Sequence, residues 1–352
     1  MTLKEHRRAL HRIPEIGWET DQTAAYIKNV LQELPCQVFS PLEGAVCAFF
    51  DYGRENSIAF RADMDALPIC EETGLPYASE HPGKMHACGH DGHMAILLGL
   101  AEHLGKAKDL NENVLLIFQP AEETTGGAKP LCDTGLLEEY KVECIYGLHL
   151  WPELPKGTVA AKAGGQMARS CEFTVEIAGK TAHIAHWQQS KDALFAAAQL
   201  LTRLYALTED KPCILRFGRM ESGSVRNAVS DRSLLEGSLR CFDDGLFEAL
   251  QESIAEIAHE VSRESGCEIR LSYSAGYPPL DNDERLLRSA GEGFPSAEAE
   301  PSFTTEDFSW YQRRVPGLFF WLGTGGAPLH SSHFDFDESL LQKGLDLLKS
   351  LL

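Results

Sequence analysis

Residues 86–95, with the sequence HACGHDGHMA, contain three histidines, a cysteine and an aspartate. Imidazole, thiolate and carboxylate groups together bind borderline divalent cations such as Zn²⁺, Mn²⁺, Co²⁺ and Ni²⁺. The apolar run MAILLGLA at the end of this segment predicts a helix, so Cys88 comes just before a helix N-terminus. A cation beside that position would hold the cysteine as a thiolate. The segment therefore predicts metal-binding chemistry.

Other residues that suit this chemistry follow short apolar runs, which are typical of strands buried on both faces. The runs at 57–60, 113–118, 144–148 and 317–322 precede, respectively, Asp63 and Asp65, Glu122 and Glu123, His149, and His330 and His333. Ligands of open α/β sheets bind beyond the carboxyl ends of the strands. We therefore expect these side chains to converge with the histidine-rich segment on one site.

Two simpler interpretations of these residues must be weighed. A single histidine is more often structural than a ligand, and CGHDGH alone could form a structural zinc site. Structural zinc sites, however, tend to use paired cysteine spacings and four closed ligands, and the sequence has no second half of that kind. Adjacent Glu122 and Glu123 can instead divide the work, one binding metal and the other moving protons. Because a metal lowers the pKa of bound water to about 7, the set can supply a water nucleophile at neutral pH.

The elements that position these residues fall into two groups, as the length of 352 residues suggests. The buried-strand runs alternate with helical patterns, whereas residues 165–275 show half-buried strands and two amphipathic helices in the order β-α-β-β-α-β. We predict an α/β fold with an open, mostly parallel sheet flanked by helices. Residues 1–164 and 276–352 would form this catalytic domain, and residues 165–275 an inserted, ferredoxin-like α+β domain.

Composition excludes several partners. The formal net charge of −20 argues against nucleic acid and against anionic membrane surfaces, which both bind basic patches. The N-terminus has no apolar core of signal-peptide length, and no apolar run approaches the roughly 18 residues of a membrane span. Ten scattered cysteines indicate reduced thiols rather than disulfides. We therefore expect a cytoplasmic protein.

Six motifs, in order, resemble the aminoacylase and carboxypeptidase-type metallohydrolases. They are RADMDALP, HACGHDGHMA, QPAEE, GLHLWPELPKGT, TTEDF and PLHSSHFDFDE, and with their surroundings they cover essentially the whole chain. More narrowly, the chain is similar to the amidohydrolase branch that contains hippurate hydrolases, auxin-conjugate hydrolases and N-acetyldiaminopimelate deacetylases. Three longer stretches that include or follow these motifs look most similar to the last group.

The resemblance implies a centre of two divalent metal ions, Zn, Mn, Co or Ni. The family's metal-ligand positions match Cys88, His90, Glu123, His149 and His330. Its general base and acid matches Glu122, and its supporting aspartate matches Asp65 or Asp63. In the inserted domain, His183 matches the histidine that polarises the substrate carbonyl, in the neighbouring subunit's site, and Asn227 matches a substrate-contacting asparagine. Here His186 follows His183 after three residues, where many relatives have five.

The implied function is hydrolysis of the N-acyl, in particular N-acetyl, amide of an amino acid, with N-acetyl-diaminopimelate among the candidates. The resemblance also implies a homodimer through the inserted lid domain. Two alternatives stay open at this point: a dipeptidase or aminopeptidase on the same centre, and a non-catalytic metal-binding protein. Arg61, Arg169 and Arg226 could each pair with a substrate carboxylate or serve structure.

Overall fold

The structure is a computed structural model that describes residues 1–293 and 296–352. The chain divides into two compact units. Unit 1 comprises Met1–Gln166, Asp281–Glu300 and Asp307–Leu352, and unit 2 comprises Met167–Leu280 and Pro301–Glu306. Residues 276–280 and 301–306, which we expected in the catalytic domain, group with unit 2, and residues 165–166, which we expected in the inserted domain, group with unit 1.

Helices and strands alternate along most of the chain. The helices are α1 (Leu3–His11), α2 (Asp21–Leu31), α3 (His90–Leu104), α4 (Ala128–Asp133), α5 (Leu136–Glu139), α6 (Ala193–Thr208), α7 (Asp244–Ser265), α8 (Glu284–Gly293), α9 (Ser309–Gln312) and α10 (Leu340–Lys349), with a 3-10 helix at Ile184–Gln189. The strands are β1 (Gln37–Phe39), β2 (Val46–Phe50), β3 (Ser57–Asp63), β4 (Asn113–Gln119), β5 (Val142–Trp151), β6 (Val159–Ala161), β7 (Gly164–Met167), β8 (Arg169–Ala178), β9 (Cys213–Ser222), β10 (Arg232–Cys241), β11 (Glu268–Tyr273), β12 (Leu280–Asn282), β13 (Ala297–Glu298) and β14 (Gly317–Gly323).

Unit 1 is built on an eight-stranded sheet with the order β1-β2-β4-β3-β5-β14-β6-β13. Its central strands β4, β3, β5 and β14 are parallel, with Phe60 opposite Leu116 and Tyr146 opposite Leu318. Every residue of β3, β4 and β14 is buried, because helices cover both faces of a parallel sheet. The predicted mostly parallel sheet is confirmed, and each predicted apolar run lies in one of these central strands.

Helix α3 carries the apolar run that follows the histidine-rich segment. Nearly all of its residues are buried, so it is a core helix rather than an amphipathic surface helix. It begins after Gly89, whose φ of +86° is left-handed. A Cβ at Gly89 would lie 3.0 Å from the Leu150 side chain. Glycine is therefore required by both the backbone conformation and the close approach of β5.

Unit 2 contains the antiparallel sheet β11-β8-β10-β9. In β8 the residues alternate between buried and more exposed, and the buried ones pack with the apolar faces of α6 and α7. Asp192 and Asp243 cap the N-termini of these helices by accepting the backbone N–H of Phe195 and Leu246. The chain order β8-α6-β9-β10-α7-β11 is the predicted β-α-β-β-α-β order.

The ten cysteines are all free in the structure, as expected for reduced thiols. Within residues 1–293 and 296–352, no helix combines the length and the apolar character needed to cross a bilayer.

Candidate metal centre

Parallel strands bring the polar residues to one edge of the large sheet. Asp63 is the last residue of β3, Gln119 is the last residue of β4 and leads into Glu122, and His330 follows β14. His149 differs from our expectation, because it lies inside β5 rather than at its end. The strand continues to Trp151 because Leu150 and Trp151 still pair with β14.

The predicted ligands form overlapping groups. Cys88, Glu123 and His330 each offer one ligand atom, and these atoms lie within 4.8 Å of one another. The same holds for His90, Glu122 and Glu123, and for Asp63, His90, His93 and His149. His90 and Glu123 therefore connect all five predicted ligands, the predicted general base and Asp63 into one centre.

Two histidines are oriented in the same way by backbone carbonyls. His90 Nδ1 donates to the Asp65 carbonyl at 2.8 Å, and His149 Nδ1 donates to the Leu150 carbonyl at 2.7 Å. We assign these tautomers because a carbonyl oxygen can only accept. Each Nε2 then faces the centre, at 3.5 Å from an Asp63 oxygen for His90 and at 3.5 Å from Cys88 Sγ for His149. A carbonyl that orients an imidazole in this way is the usual support for a metal-binding histidine.

Cys88, Glu123 and His330 complete the other side of the centre. Cys88 Sγ lies 3.5 Å from His149 Nε2. Glu123 Oε1 lies 3.4 Å from His330 Nε2 and 3.7 Å from His90 Nε2. In the part of the chain that the structure describes, neither His90 Nε2 nor Glu123 Oε1 has a hydrogen-bond partner, although both are buried.

Asp65 holds the two glutamates in place. Its Oδ1 accepts the backbone N–H of Glu122 at 3.0 Å, and its Oδ2 accepts the backbone N–H of Glu123 at 3.1 Å. Both carboxylate oxygens of Asp65 are thus used to fix the backbone of the segment Pro120–Gly127. Asp65 therefore has the geometry of the supporting aspartate.

Asp63 has a different set of partners. Its Oδ1 accepts from His93 Nδ1 at 2.6 Å, and its Oδ2 accepts from Arg61 at 3.0 Å and lies 3.5 Å from His90 Nε2. His93 Nε2 accepts the backbone N–H of Leu150 at 2.9 Å. No role was predicted for His93. Because both of its ring nitrogens are engaged, it orients Asp63 and β5 rather than holding a cation.

Arg61 is not placed to bind a substrate carboxylate. It is buried and donates to Asp63, to Gln119 Oε1 at 2.8 Å and to Asp307 Oδ1 at 2.8 Å. Among the alternatives left open for this arginine, the structure therefore favours the structural one.

Backbone strain lies next to two of the functional positions. His330 has a φ of +64°, and Ala121, which precedes Glu122, has a φ of +63°. Non-glycine residues rarely adopt this region, and such strain concentrates at functional sites. The N–H of His330 donates to the Ala87 carbonyl at 2.8 Å, which ties the His330 turn to the segment that carries Cys88.

The electrostatics favour a cation. Burial opposes the charge of His90, yet Asp63, Asp65 and Glu123 raise the pKa of His90 to about 10. Burial also opposes ionisation of Glu123, but His330 and His90 lower its pKa to about 2. Burial, together with nearby His93, lowers the pKa of His149 to about 3, which leaves a neutral imidazole. A position that attracts a proton so strongly also attracts a divalent cation.

The surroundings of Cys88 change what we expect of its ionisation. Burial, together with Glu123 and Glu122, raises the pKa of the Cys88 thiol well above its usual value. The helix N-terminus alone therefore does not make Cys88 a thiolate, and a bound cation would have to do so. Two orphaned buried atoms, oriented imidazoles and an excess of buried acidic groups all fit bound divalent metal.

His183 and Asn227 both lie in unit 2. His183 directly precedes the 3-10 helix as its N-cap, and its Nδ1 accepts the N–H of Ala185 at 3.2 Å. The N–H of Ile184 donates to the Asn227 carbonyl at 3.1 Å, and both His183 and Asn227 are exposed. Unit 2 thus holds these two residues together on adjacent backbone segments.

The sequence profile of peptidase family M20/M25/M40 matches residues 59–352. The chain belongs to this family. As an M20 protein it is a metal-dependent hydrolase of amide bonds. An N-acetyldiaminopimelate deacetylase from Streptococcus uberis is 35% identical over 98% of this chain and 96% of its own. An N-acetyldiaminopimelate deacetylase from Geobacillus thermodenitrificans is 33% identical over 98% of this chain and 95% of its own.

Solved structures agree with this M20 assignment. A dinuclear metal-binding peptidase of family M20 from Bacillus subtilis superimposes with a TM-score of 0.90 and is 32% identical, covering 99% of this chain and 96% of its own. A protein from methicillin-resistant Staphylococcus aureus, described as an aminohydrolase, superimposes with a TM-score of 0.94. It is 29% identical and covers 99% of this chain and 95% of its own.

Sequence reasoning overlooked part of the site. His93 belongs to the segment HACGHDGHMA, but its spacing from His90 gave no sign that it bonds Asp63 instead of a cation. Asp307 stood in the motif TTEDF without a role, and it contacts Arg61 and Gln119 in the core. Only the tertiary structure reveals these partners.

Proposed function

We propose that this protein hydrolyses the N-acetyl amide of an amino acid, and that N-acetyl-diaminopimelate or a close analogue is its substrate. The names of its full-length relatives support this substrate class. The observation that carries the proposal is the position of Glu122. A ligand atom of Glu122 lies within 4.8 Å of those of His90 and Glu123, while Asp65 fixes its backbone.

We propose that Cys88, His90, Glu123, His149 and His330 hold two divalent ions, with zinc, manganese, cobalt and nickel as candidates. The oriented imidazoles and the orphaned buried atoms support this ligand set. When bound, such ions polarise a carbonyl and make water acidic enough to be a nucleophile near neutral pH.

In the proposed reaction Glu122 takes the proton of the attacking water and returns it to the leaving amine nitrogen. The acyl carbon gains an oxygen and the C–N bond breaks, so that acetate and the free amino acid leave. His183 donates a hydrogen bond to the oxygen that becomes negative, and Asn227 contacts the substrate. Asp65 keeps the Glu122 carboxylate at the reacting atoms, and Asp63 keeps His93 and His90 in register.

A substrate panel tests the proposal. Protein reconstituted with Mn²⁺, Zn²⁺, Co²⁺ or Ni²⁺ is assayed on N-acetyl amino acids, including N-acetyl-diaminopimelate, and on the matching free dipeptides. We expect the N-acetyl compounds to be cleaved and the dipeptides to be left intact. Faster cleavage of the dipeptides would overturn the proposal in favour of a peptidase.

Glu122→Gln tests the general base. We expect kcat to fall by about 10²–10⁴-fold, while the metal content stays that of the wild type because Gln keeps the shape of the side chain. Glu33→Gln, an exposed change on the same unit, is the matched control and keeps full activity. Wild-type turnover in Glu122→Gln would remove this residue from the mechanism.

We also propose a homodimer formed through unit 2. Unit 2 exposes large apolar side chains on and beside its first helical segment, with Trp187 62% and Phe195 60% exposed. Exposed apolar residues that lie near one another in the sequence fit an interaction surface, and β9 is an edge strand of the unit 2 sheet. The double change Trp187→Ser and Phe195→Ser should halve the mass measured by light scattering. If light scattering gave the mass of a monomer for the wild-type protein, the proposed dimer would be wrong.

For the compartment we propose the cytoplasm. The ten unpaired cysteines support a reducing environment. Cell fractionation with an antibody against the chain tests this, and recovery in the secreted fraction would contradict it.

A further inference from the structure

Asp307 comes from the motif TTEDF, which the proposed reaction does not use. It is completely buried and lies in unit 1, shortly before α9. Its Oδ1 accepts from Arg61 at 2.8 Å, and its two oxygens accept from Gln119 Nε2 at 2.9 and 2.7 Å. Its Oδ2 also accepts the backbone N–H of Ala128 at 2.9 Å. A buried carboxylate with this many donors is a strong local constraint.

Arg61 is the first residue through which Asp307 is connected to the metal centre. The guanidinium group binds Asp307 with one terminal nitrogen and Asp63 with the other, at 2.8 and 3.0 Å. Asp63 in turn accepts from His93 and lies 3.5 Å from His90 Nε2. Because the guanidinium group is planar and rigid, the position of Asp307 sets the position of Asp63.

Asp307 is also connected to the segment Pro120–Gly127, which carries Glu122 and Glu123. Gln119 precedes this segment and Ala128 follows it, and the Asp307 carboxylate binds both. Tyr311 adds a hydrogen bond from its hydroxyl to Gln119 Oε1 at 3.1 Å. Asp65 fixes the middle of the segment at Glu122 and Glu123, so Asp307 fixes its two ends.

We propose that Asp307 is a positioning residue of the metal centre, acting through Arg61 on Asp63 and through Gln119 and Ala128 on the glutamate segment. Its hydrogen bonds within the described chain go to these partners, and not to the predicted metal ligands or substrate-binding residues. The inference depends on the proposed cation site but not on the proposed substrate.

The charges give the direction of the effect. Arg61 lies between two carboxylates, and Asp307, one oxygen of which lies within 4.8 Å of a Glu122 carboxylate oxygen, balances part of its positive charge. Asp307→Asn removes that balance and leaves the full charge of Arg61 beside Asp63. The potential at the centre then becomes less negative, and cation affinity falls. Outer residues that support metal ligands typically change metal affinity by about 10–100-fold.

The first experiment measures Mn²⁺ affinity by isothermal titration of the full chain. We expect the Kd of Asp307→Asn to rise about 10–100-fold when it is measured at the same fraction folded as the wild type, and its Tm to fall because Arg61 loses a buried partner. Ser57→Ala is the matched control, since Ser57 is buried at the opposite end of β3, where its hydroxyl donates to the Tyr140 carbonyl at 2.7 Å. Equal Kd values in Asp307→Asn and Ser57→Ala would overturn the proposal.

A double-mutant cycle separates positioning from general damage. Arg61→Lys keeps a positive charge but loses the fork that joins Asp63 to Asp307. If Asp307 acts through Arg61, the rise in Kd of the double variant will be at least about fivefold smaller than the product of the two single effects. Effects that multiply within about twofold would show that the two residues act independently and would overturn the proposal.

If Asp307→Asn does not fold, the Mn²⁺ affinity of Tyr311→Phe tests the proposal instead. This substitution removes only the hydroxyl that supports Gln119, and we expect the Kd for Mn²⁺ to rise about threefold, as loss of roughly 0.7 kcal/mol would give. An unchanged Kd would then overturn the inference. Because Mn²⁺ binding needs no substrate, a protein that fails the substrate panel still gives a result here.

Discussion

The metal centre and the His183 segment of unit 2 are built in opposite ways. In the centre, Asp63, Asp65 and His90 are buried, and each is held by at least one hydrogen bond to a group from a different element or segment. In unit 2, His183 and Asn227 are exposed and are held mainly by backbone bonds between neighbouring segments.

This difference follows from what each region must do. Several acidic groups can face one another in a core only if their positions are fixed by surrounding donors, and a bound cation then balances their charge. Residues that contact a substrate only during the reaction gain nothing by being buried in the free protein, and exposure leaves them accessible. Changes in the centre should therefore alter stability and cation affinity, whereas changes at His183 should alter catalysis alone.

After Glu122→Gln, which removes the proposed general base itself, the largest effect is expected for Asp65→Ala. Without the carboxylate, the N–H groups of Glu122 and Glu123 lose their acceptor and the segment shifts, and a displacement of about 1 Å can cost 10²-fold in rate. We expect kcat to fall by about 10²–10³-fold. Steady-state kinetics at saturating metal measures this fall, and titration with Mn²⁺ should show weaker binding.

Asp51→Ala is the matched control for this change. Asp51 also accepts a backbone N–H, that of Gly53 at 2.8 Å, but in an exposed turn. Its activity and cation affinity should stay at wild-type values. If Asp65→Ala retained more than a tenth of the wild-type kcat, the glutamate segment would not depend on Asp65.

The next effect tests the other side of the comparison. His183→Ala removes a proposed oxyanion donor, whose loss typically costs about 10²–10³-fold in kcat. Because His183 is exposed, the free energy of unfolding should change by less than about 0.5 kcal/mol. Kinetics and urea denaturation of the same sample measure both quantities. His186→Ala is the control for the 3-10 helix, and an equal loss of kcat there would contradict a specific role for His183.

The contrast between the two regions was only partly predictable from the sequence. The central strands of the large sheet were predictable, because strands covered on both faces have continuous apolar runs such as NVLLIF. Convergence of Asp63, Glu122 and His149 followed from the same topology. The alternating strands and the two helices of unit 2 followed from their hydrophobic periods.

The division of roles within the centre was not predictable in this way. Asp63 and Asp65 are two residues apart and chemically identical, and only their partners distinguish them: His93 and Arg61 for one, two backbone N–H groups for the other. Asp307 and Gln119 are 188 positions apart. A hydrogen bond over that separation depends on packing of the whole unit, which leaves no local pattern in the sequence.

A smaller effect concerns pH. His11 of α1 donates to Asp91 at 2.8 Å and lies 3.2 Å from Glu71. Burial opposes its charge, but Asp91 and Glu71 raise the pKa of His11 to about 9. The protonated form therefore contributes stability that is complete below about pH 6.5 and is lost as the pH rises through 9.

Urea denaturation between pH 6 and pH 9.5 measures this contribution, which is about 3 kcal/mol at most by the size of the shift. In His11→Gln the decline of stability over this range should be smaller than in the wild type, because the contribution of His11 is lost while that of His90, whose pKa is also raised, remains. His259→Gln, on the exposed face of α7 in unit 2, should keep the wild-type decline. A wild-type decline in His11→Gln would mean that buried charge around α1 does not stabilise unit 1.

The smallest expected effect is the difference in stability loss between alanine substitutions at two glycines. Gly89 and Gly53 both have left-handed backbones, with φ of +86° and +72°. A Cβ at Gly53 would meet nothing within 4 Å, whereas a Cβ at Gly89 would lie 3.0 Å from the side chain of Leu150. Gly53→Ala should thus cost only the backbone term, about 1 kcal/mol, and Gly89→Ala about 2–3 kcal/mol.

Cation binding distinguishes the two substitutions more sharply than stability does. Gly89 lies between Cys88 and His90, so the shift that relieves its contact with Leu150 must move at least one of these predicted ligands. Mn²⁺ affinity should therefore fall in Gly89→Ala and stay unchanged in Gly53→Ala, when both are measured by titration at equal fractions folded. Equal affinities in the two variants would mean that the ligands tolerate displacement, and that the centre is less rigidly fixed than its buried hydrogen bonds imply.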